Sequence, residues 1–389
     1  MEPVTDAPEK RIRPPRARRW GLVAAASLLA IGLTACGATN APGTASGGAT
    51  KGGDTISQIE SLPAGQQRAK AVELAKKEGS LSLYTELQDQ TSQAVANAFQ
   101  QKYGITVNLY RASAETVEQR ITQEAGANRL GGDVVVLGYG GMSDLAAKKD
   151  LLQPFAGASA KKLKEPSDFS GWTAATGYLY LPVWNSKLIP NSDGPKSWED
   201  LADPRFNGKM VIEESDSDWY GALTTYWKSQ GKSQSDIDKL WKDIVDGSVI
   251  GSGHSAIMQL LGAGQSGITG MNYDYIAEAQ IDKGAPISYR DADGKVGAHA
   301  FIYPVGVAPF TKAQHPAAAW LFTDWLLTDG QKLMGDQHLL SAKQVVGTDK
   351  INGIQASIVP AEVISQRSKW EDEFDQLIRG VPKAPSTGN

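Results

Sequence analysis

In the stretch "DVVVL" at 133–137 the four residues after Asp133 are apolar without a break, and they place the tightest limit on the fold. A strand with one wet face alternates apolar and polar residues. An unbroken run belongs to a parallel strand covered on both faces. The preceding residues fit that setting. The pattern predicts a helix over 66–77 closed by Gly79, then a strand at "SLSLYT", 80–85. A second helix carries Val95, Phe99 and Tyr103 on one face and ends at Gly104. "ITVNLY", 105–110, alternates as a strand does, and a helix at about 114–126 carries Val117 and Ile121. The series is β-α-β-α-β, and right-handed crossovers turn it into an open, doubly wound parallel sheet. Ligands bind such sheets beyond the carboxyl ends of the strands. Here those ends are Tyr84, Thr85 and Glu86, and Gly138, Tyr139, Gly140 and Gly141.

The chain has 389 residues, enough for two lobes. Past 171 the texture changes. "GYLYLPVWNS", 177–186, reads as an extended crossover into a second lobe, where "KMVIEE", 209–214, and "SGITGMNYDY", 266–275, are further strands. The segment from Tyr303 to Ala308 reads as a return strand. "HPAAAWLFTDWLLTDGQK", 315–332, is a helix with Pro316 in its first turn, a buried stripe of Ala318, Leu321, Phe322 and Trp325, and Gly330 near its end. A net charge of −4 and the absence of a basic block in the body exclude a nucleic-acid binder. The one cysteine, Cys36, excludes an internal disulfide and a cysteine-based metal cluster.

The N-terminus differs from the body. Lys10, Arg11, Arg13, Arg16, Arg18 and Arg19 precede an apolar run, 21–33, whose 13 residues fall short of the roughly 20 that cross a membrane. Basic segment, short apolar core and small residues describe an export signal, by the general secretory route or, through Arg18 and Arg19, the twin-arginine route. "LTAC", ending at Cys36, resembles the lipobox of bacterial lipoproteins. The resemblance implies that 1–35 is discarded and that Cys36 is the lipidation site. Each buried methylene contributes roughly 0.8 kcal/mol, so two acyl chains hold a domain on a membrane. The Gly-, Ala-, Ser- and Thr-rich segment to Ser57 reads as a flexible tether, whose 21 residues after Cys36 span roughly 25 Å as a coil.

From about 80 to 340 a set of motifs runs in order: "LSLYTE", "AFQQKYGITVNLYRAS", "GGDVVVLG", "DLLQPF", "PKSWEDLADPRFNGKMVIEE", "DSDWYGAL", "GSGHSAIMQLLGAGQSGITGMNYDY", "KGAPISY" and "HPAAAWLFTDWLLTDGQKLM". With them the chain resembles the extracellular solute-binding proteins of ABC importers, in the group that includes periplasmic ferric-iron- and thiamine-binding proteins. The resemblance implies the type II periplasmic-binding-protein fold, two doubly wound α/β lobes joined by two hinge strands. It places lobe I at 58–178, lobe II at 179–299 and a return to lobe I at 300–389. It further implies a monomer outside the cytoplasm that traps a small solute between its lobes and delivers it to a membrane permease. A sensor that signals to a membrane kinase would use the same trap.

No catalytic set stands out. His254, His299, His315 and His338 are scattered without metal-ligand spacing, and there is no nucleophile elbow or P-loop. "GAGQSG", 262–267, follows a helical pattern instead of a strand and reads as a turn. The expectation is a binding protein, not an enzyme, with no cofactor. In the ferric members the segment matching "MNYDY" carries two adjacent tyrosines that bind iron. Here Tyr273 and Tyr275 are split by Asp274, and the histidine of the first loop is missing from "TELQDQ". On a strand Tyr273 and Tyr275 share a face and Asp274 takes the other. They are the metal ligands if the solute is ferric, and otherwise no metal is expected. "DSDWYGAL" reads as a loop entering a helix capped by Ser217 or Asp218, with Trp219 and Tyr220 offering flat faces. Ser252 and His254 begin a second loop-helix start. The candidate ligand-binding set is Thr85, Glu86, Tyr139, Asp218, Trp219, Tyr220, Ser252, His254, Tyr273, Asp274 and Tyr275, with Asp216 nearby. Carboxylates beside aromatic faces favour a ferric ion or a thiamine-like organic cation. Arg111 is the one candidate clamp for an anion such as a phosphonate.

Overall fold

Residues 52–163, 168–347 and 350–384 are described by a computed structural model. Cys36 and the signal before it lie outside them. Helices α1 (Gly52–Glu60) and α2 (Ala64–Glu78) lead into β1 (Ser80–Thr85), α3 (Asp89–Tyr103), β2 (Thr106–Arg111), α4 (Ala114–Gly126), β3 (Val134–Gly138) and α5 (Tyr139–Ala146). The short β4 (Asp168–Phe169) precedes the long β5 (Trp172–Asn185). Next come β6 (Met210–Glu213), α6 (Ser217–Ser229), α7 (Gln234–Asp246), β7 (Ser248–Gly251), α8 (His254–Gly262), β8 (Ile268–Tyr273), α9 (Asp274–Ile281) and β9 (Ile287–Ser288). The chain returns along β10 (Ala300–Pro309) to α10 (Pro316–Leu326), α11 (Gly330–Asp336), β11 (Leu340–Ser341) and α12 (Ala342–Gly347). It finishes with β12 (Lys350–Ile351), β13 (Ile354–Ile358), α13 (Ala361–Ser365) and α14 (Arg367–Leu377). Among the described residues no helix is long and apolar enough to cross a membrane.

The main sheet runs β2-β1-β3-β10-β5-β8-β6-β7. Its two outer parts are parallel: β2, β1 and β3 on one side, β8, β6 and β7 on the other. Between them β10 and β5 pair antiparallel with each other and with their outer neighbours. These are the two hinge strands of the expected type II fold. The "DVVVL" run behaves as its composition requires, with every residue of β3 buried. Gly79 and Gly104 close α2 and α3 at φ 75° and 70°, where any side chain would be strained.

Three expectations change. The tether stops earlier than Ser57. Helix α1 begins at Gly52, and Ile56 and Ile59 are fully buried in one cluster with Trp320 and Phe322. Glu60 fastens this helix by accepting from the Ala156 amide (2.8 Å) and the Trp320 indole (3.2 Å). Small polar residues at one end hid two isoleucines at helical spacing. Second, 315–332 is two helices with Gly330 opening α11, and α10 is buried along its whole length rather than on one stripe. Third, the C-terminal part does not stay with the first lobe. Trp370 and Phe374 on α14 pack against Tyr220 on α6, and the Ile250 amide on β7 donates to Pro382 (2.8 Å).

Because Ile59 is wholly enclosed, Ile59→Ala is expected to cost about 2–5 kcal/mol of unfolding free energy. Urea titration of the purified protein measures it; a loss within error would return this helix to the tether.

Candidate functional site

Strand register builds the site. Tyr178 on β5 stands opposite Tyr303 on β10, and Tyr180 stands opposite Tyr273 on β8. Alternate residues share a face, so four phenol rings meet where the three strands join. Tyr303 stacks on Tyr178 and on Tyr180 at 5.5 Å each, and Tyr273 stacks on Tyr180 at 5.6 Å. Leu179 and Leu181, facing the other way, are buried in the core.

Two adjoining cavities open on this cluster, of about 380 and 300 Å³, with Glu86, Tyr178 and Tyr273 in the walls of both. Their other walls are the carboxyl ends of β3, β6 and β7, as a doubly wound sheet requires. A larger cavity of about 840 Å³ lies elsewhere, against α4, among exposed side chains such as Arg129, Lys148 and Lys312. No buried charge converges there.

The first cavity is acidic. Among the described residues Glu86, Glu115, Glu214, Asp216, Asp218, Glu371 and Asp375 line it, against one basic side chain, Arg367. Burial pushes the Glu86 carboxyl up to about 7, although it accepts from the Gly138 amide. Gly138 has to be glycine for this approach: a Cβ there would sit 2.7 Å from both Glu86 and the Tyr303 ring. Burial likewise raises Asp216, to about 6, and Asp218, which Arg367 partly offsets. Arg367 lies 3.9 Å from Asp218, 3.5 Å from Asp144 and 3.6 Å from Glu371.

The expected residues divide. Glu86, Asp218, His254, Tyr273 and Tyr275 line the cavities, and Trp219 touches the first from the core, where it packs on Trp198 and Trp241. Thr85 is buried and its hydroxyl accepts from the Leu87 amide (3.1 Å), shaping the turn. Tyr139 packs edge-on against Trp172, and Tyr220 lies tilted against Trp241. The Ser252 hydroxyl bonds Glu214 rather than facing either cavity. Asp274 also leaves the site. The strand ends at Tyr273, so Asp274 begins α9 and its carboxylate accepts from the Leu179 amide (2.8 Å). Tyr273 and Tyr275 still lie parallel, with ring centres 5.9 Å apart, but from a strand and a helix rather than from one strand face. The cap of α6 is Asp216, which makes no side-chain bond to its amides, in place of Ser217 or Asp218. Arg111 lines the second cavity, with its Nε donating to the Leu87 carbonyl (3.1 Å).

Tyr178, Tyr180, Tyr303 and Arg367 were missed. The alternation in "GYLYLP" was the available signal for the first two. Arg367 had none, since it arrives from a helix beyond the last motif.

One arrangement resembles a hydrolase relay: Ser80 Oγ lies 3.0 Å from His315 Nε2, and His315 Nδ1 lies 2.8 Å from Asp133. It sits at the amino end of β1, away from the strand ends that form the cleft, and lines none of the three cavities. Asp133 also accepts from the amides of Ser82 and His315 (2.7 and 2.8 Å). The arrangement ties the start of α10 to β1 and β3.

Residues 84–333 match the family model described as bacterial extracellular solute-binding protein. The chain belongs to this family. It is a solute-binding protein of ABC importers, extracytoplasmic, and not an enzyme. The solved structure of iron-bound HitA from Pseudomonas aeruginosa is similar, with 20% identity, 76% of this chain and 99% of that chain covered, and a TM-score of 0.62. AfuA from Actinobacillus pleuropneumoniae, with fructose 6-phosphate bound, is 16% identical over 78% of this chain and 100% of that one, with a TM-score of 0.61. At these identities the likeness concerns the fold. An uncharacterized protein of Haemophilus influenzae is 25% identical over 286 residues, 68% of this chain and 77% of its own.

The Glu86 carboxyl titrates near 7 in the folded protein against an ordinary 4.5. Between those values the folded state binds more protons than the unfolded chain. Its contribution to stability is therefore present below about pH 4.5 and is lost as pH rises toward 7. The solute-free protein should show a larger fall in melting temperature from pH 5 to 7.5 than Glu86→Gln. Parallel melting curves for the two would remove Glu86 from this role.

Proposed function

We propose that this protein is a lipid-anchored receptor, held through Cys36, that traps a small organic cation of the thiamine class and delivers it to a membrane permease. The observation that carries the reading is the first cavity, where Glu86, Asp216 and Asp218 stand among the faces of Tyr178, Tyr180 and Tyr273. A carboxylate wall supplies charge, and neutral phenol rings supply cation–π faces. Neutral rings are what the cavity favours: burial holds the hydroxyls of Tyr178, Tyr180, Tyr273 and Tyr303 well above the ordinary phenol range. The volume of about 380 Å³ lies at the small end for ligand pockets.

A second reading, a ferric ion, draws support from the parallel Tyr273 and Tyr275 rings and from the likeness to iron-bound HitA. It requires phenolates, which burial opposes. A phosphate or phosphonate fits least, because Arg367 already faces Asp144, Asp218 and Glu371.

Isothermal titration of the purified protein with thiamine, spermidine, ferric citrate, 2-aminoethylphosphonate and fructose 6-phosphate separates these readings. Thiamine or another organic amine is expected to bind, and Asp218→Asn to weaken it about 10-fold or more, the worth of one charged contact. Tight binding of only the phosphonate or the sugar phosphate would sink the cation reading.

A further inference from the structure

Three chemically compatible side chains meet in the second half of the sheet and have no use in the reading above beyond general charge. Glu213 ends β6, Asp216 precedes α6, and His254 opens α8 after β7. Each offers a donor atom, and the three donors lie within 4.8 Å of one another. His254 Nε2 is 3.3 Å from Asp216 Oδ1. Two ligands about 2.0–2.1 Å from a tetrahedral metal are themselves about 3.3 Å apart, so this pair already has the required separation.

The surroundings orient the set. The carboxylate of Glu213 accepts from the Gly253 amide (2.9 Å) at Oε1 and from the Ser215 amide (2.6 Å) and hydroxyl at Oε2, which leaves one lone pair free on Oε1. Such outer bonds hold ligating carboxylates in known metal sites. The His254 ring packs against Tyr273, centre to centre 4.0 Å. Asp216 supplies a second, independent sign. Its side chain is only 2% exposed, yet Oδ2 has no hydrogen-bond partner. Buried polar atoms are seldom left unpaired, and each such case needs a reason. A His–Asp ion pair alone gives Asp216 Oδ2 nothing to bind.

We propose that Glu213, Asp216 and His254 form a binding site for a divalent first-row metal ion, Zn²⁺ by the character of its donors. One imidazole with two carboxylates suits zinc better than calcium or magnesium, which prefer all-oxygen sets. Three protein donors leave a position for water or for an oxygen of the solute. Asp216 lines the first cavity and His254 the second, so the ion sits in the wall shared with the solute.

The test is titration of the chelator-treated full protein with ZnCl₂ by calorimetry, and with CoCl₂ by visible absorption. One equivalent is expected to bind. His254→Gln should weaken it about 100-fold and abolish the cobalt bands, while His338→Gln, beside the exposed Asp282, should change nothing. Circular dichroism checks folding. If His254→Gln is misfolded, Glu213→Gln decides, since it keeps the Asp216–His254 pair; it should weaken zinc at least 10-fold. No stoichiometric uptake, or uptake indifferent to both His254→Gln and Glu213→Gln, overturns the site. Zinc uptake without binding of any organic cation would sink only the solute reading, and the reverse would sink only this one.

Discussion

The register between β5 and β10 is the constraint on which the rest depends. It sets Tyr178 against Tyr303, and two residues along, Tyr180 stands between Phe301 on β10 and Tyr273 on β8. A one-residue slip would turn the tyrosines into the core and bring Leu179 and Leu181 to the cavities. Burial of those leucines on the other face makes such a slip costly. The irregularity between Leu181 and Val183 falls at Pro182, which has no amide to donate to a ladder. Thus the strands that hold the two parallel parts of the sheet together also make the aromatic floor between them.

Charge is arranged around that floor from distant parts of the chain. Glu86 comes from the end of β1, Asp216 and Asp218 from the start of α6, and Arg367 from α14. Arg367 approaches so closely that a Cβ on Gly140 would lie 2.7 Å from its guanidinium. Two of the three glycines of "GYGG" are met at 2.7 Å by what packs on them, Gly138 by Glu86 and Tyr303 and Gly140 by the end of Arg367. Helices α13 and α14 pack on α6 of the second part, so the last described helix delivers Arg367, the one cation among the described residues that line the first cavity.

Local pattern was enough for the elements of the first half. The strand at 80–85, the helix at 114–126 and the glycine caps at Gly79 and Gly104 follow from periodicity and from φ, which neighbours in sequence decide. The site was half legible. Glu86, Asp218, His254, Tyr273 and Tyr275 stand at strand ends or helix starts, where the fold rule puts ligands. Thr85, Tyr139, Tyr220, Ser252 and Asp274 stand at such ends too, yet turn to bonds and packing of their own. Nothing local separates the two groups, because the direction of a side chain at a strand end depends on what packs there.

By itself the sequence determined the class of this protein: parallel-sheet halves in the order of a solute-binding receptor, with no local catalytic motif. Those follow from hydrophobic period and motif order, properties of neighbouring residues. Only the tertiary structure decided which tyrosines share a floor, which acids are buried, and that Arg367 stands among them. It also decided that Asp274 leaves the site while Asp216 and His254 face each other. Those depend on registers and contacts between residues far apart in sequence, and burial, which sets their charge, exists only once those contacts are made.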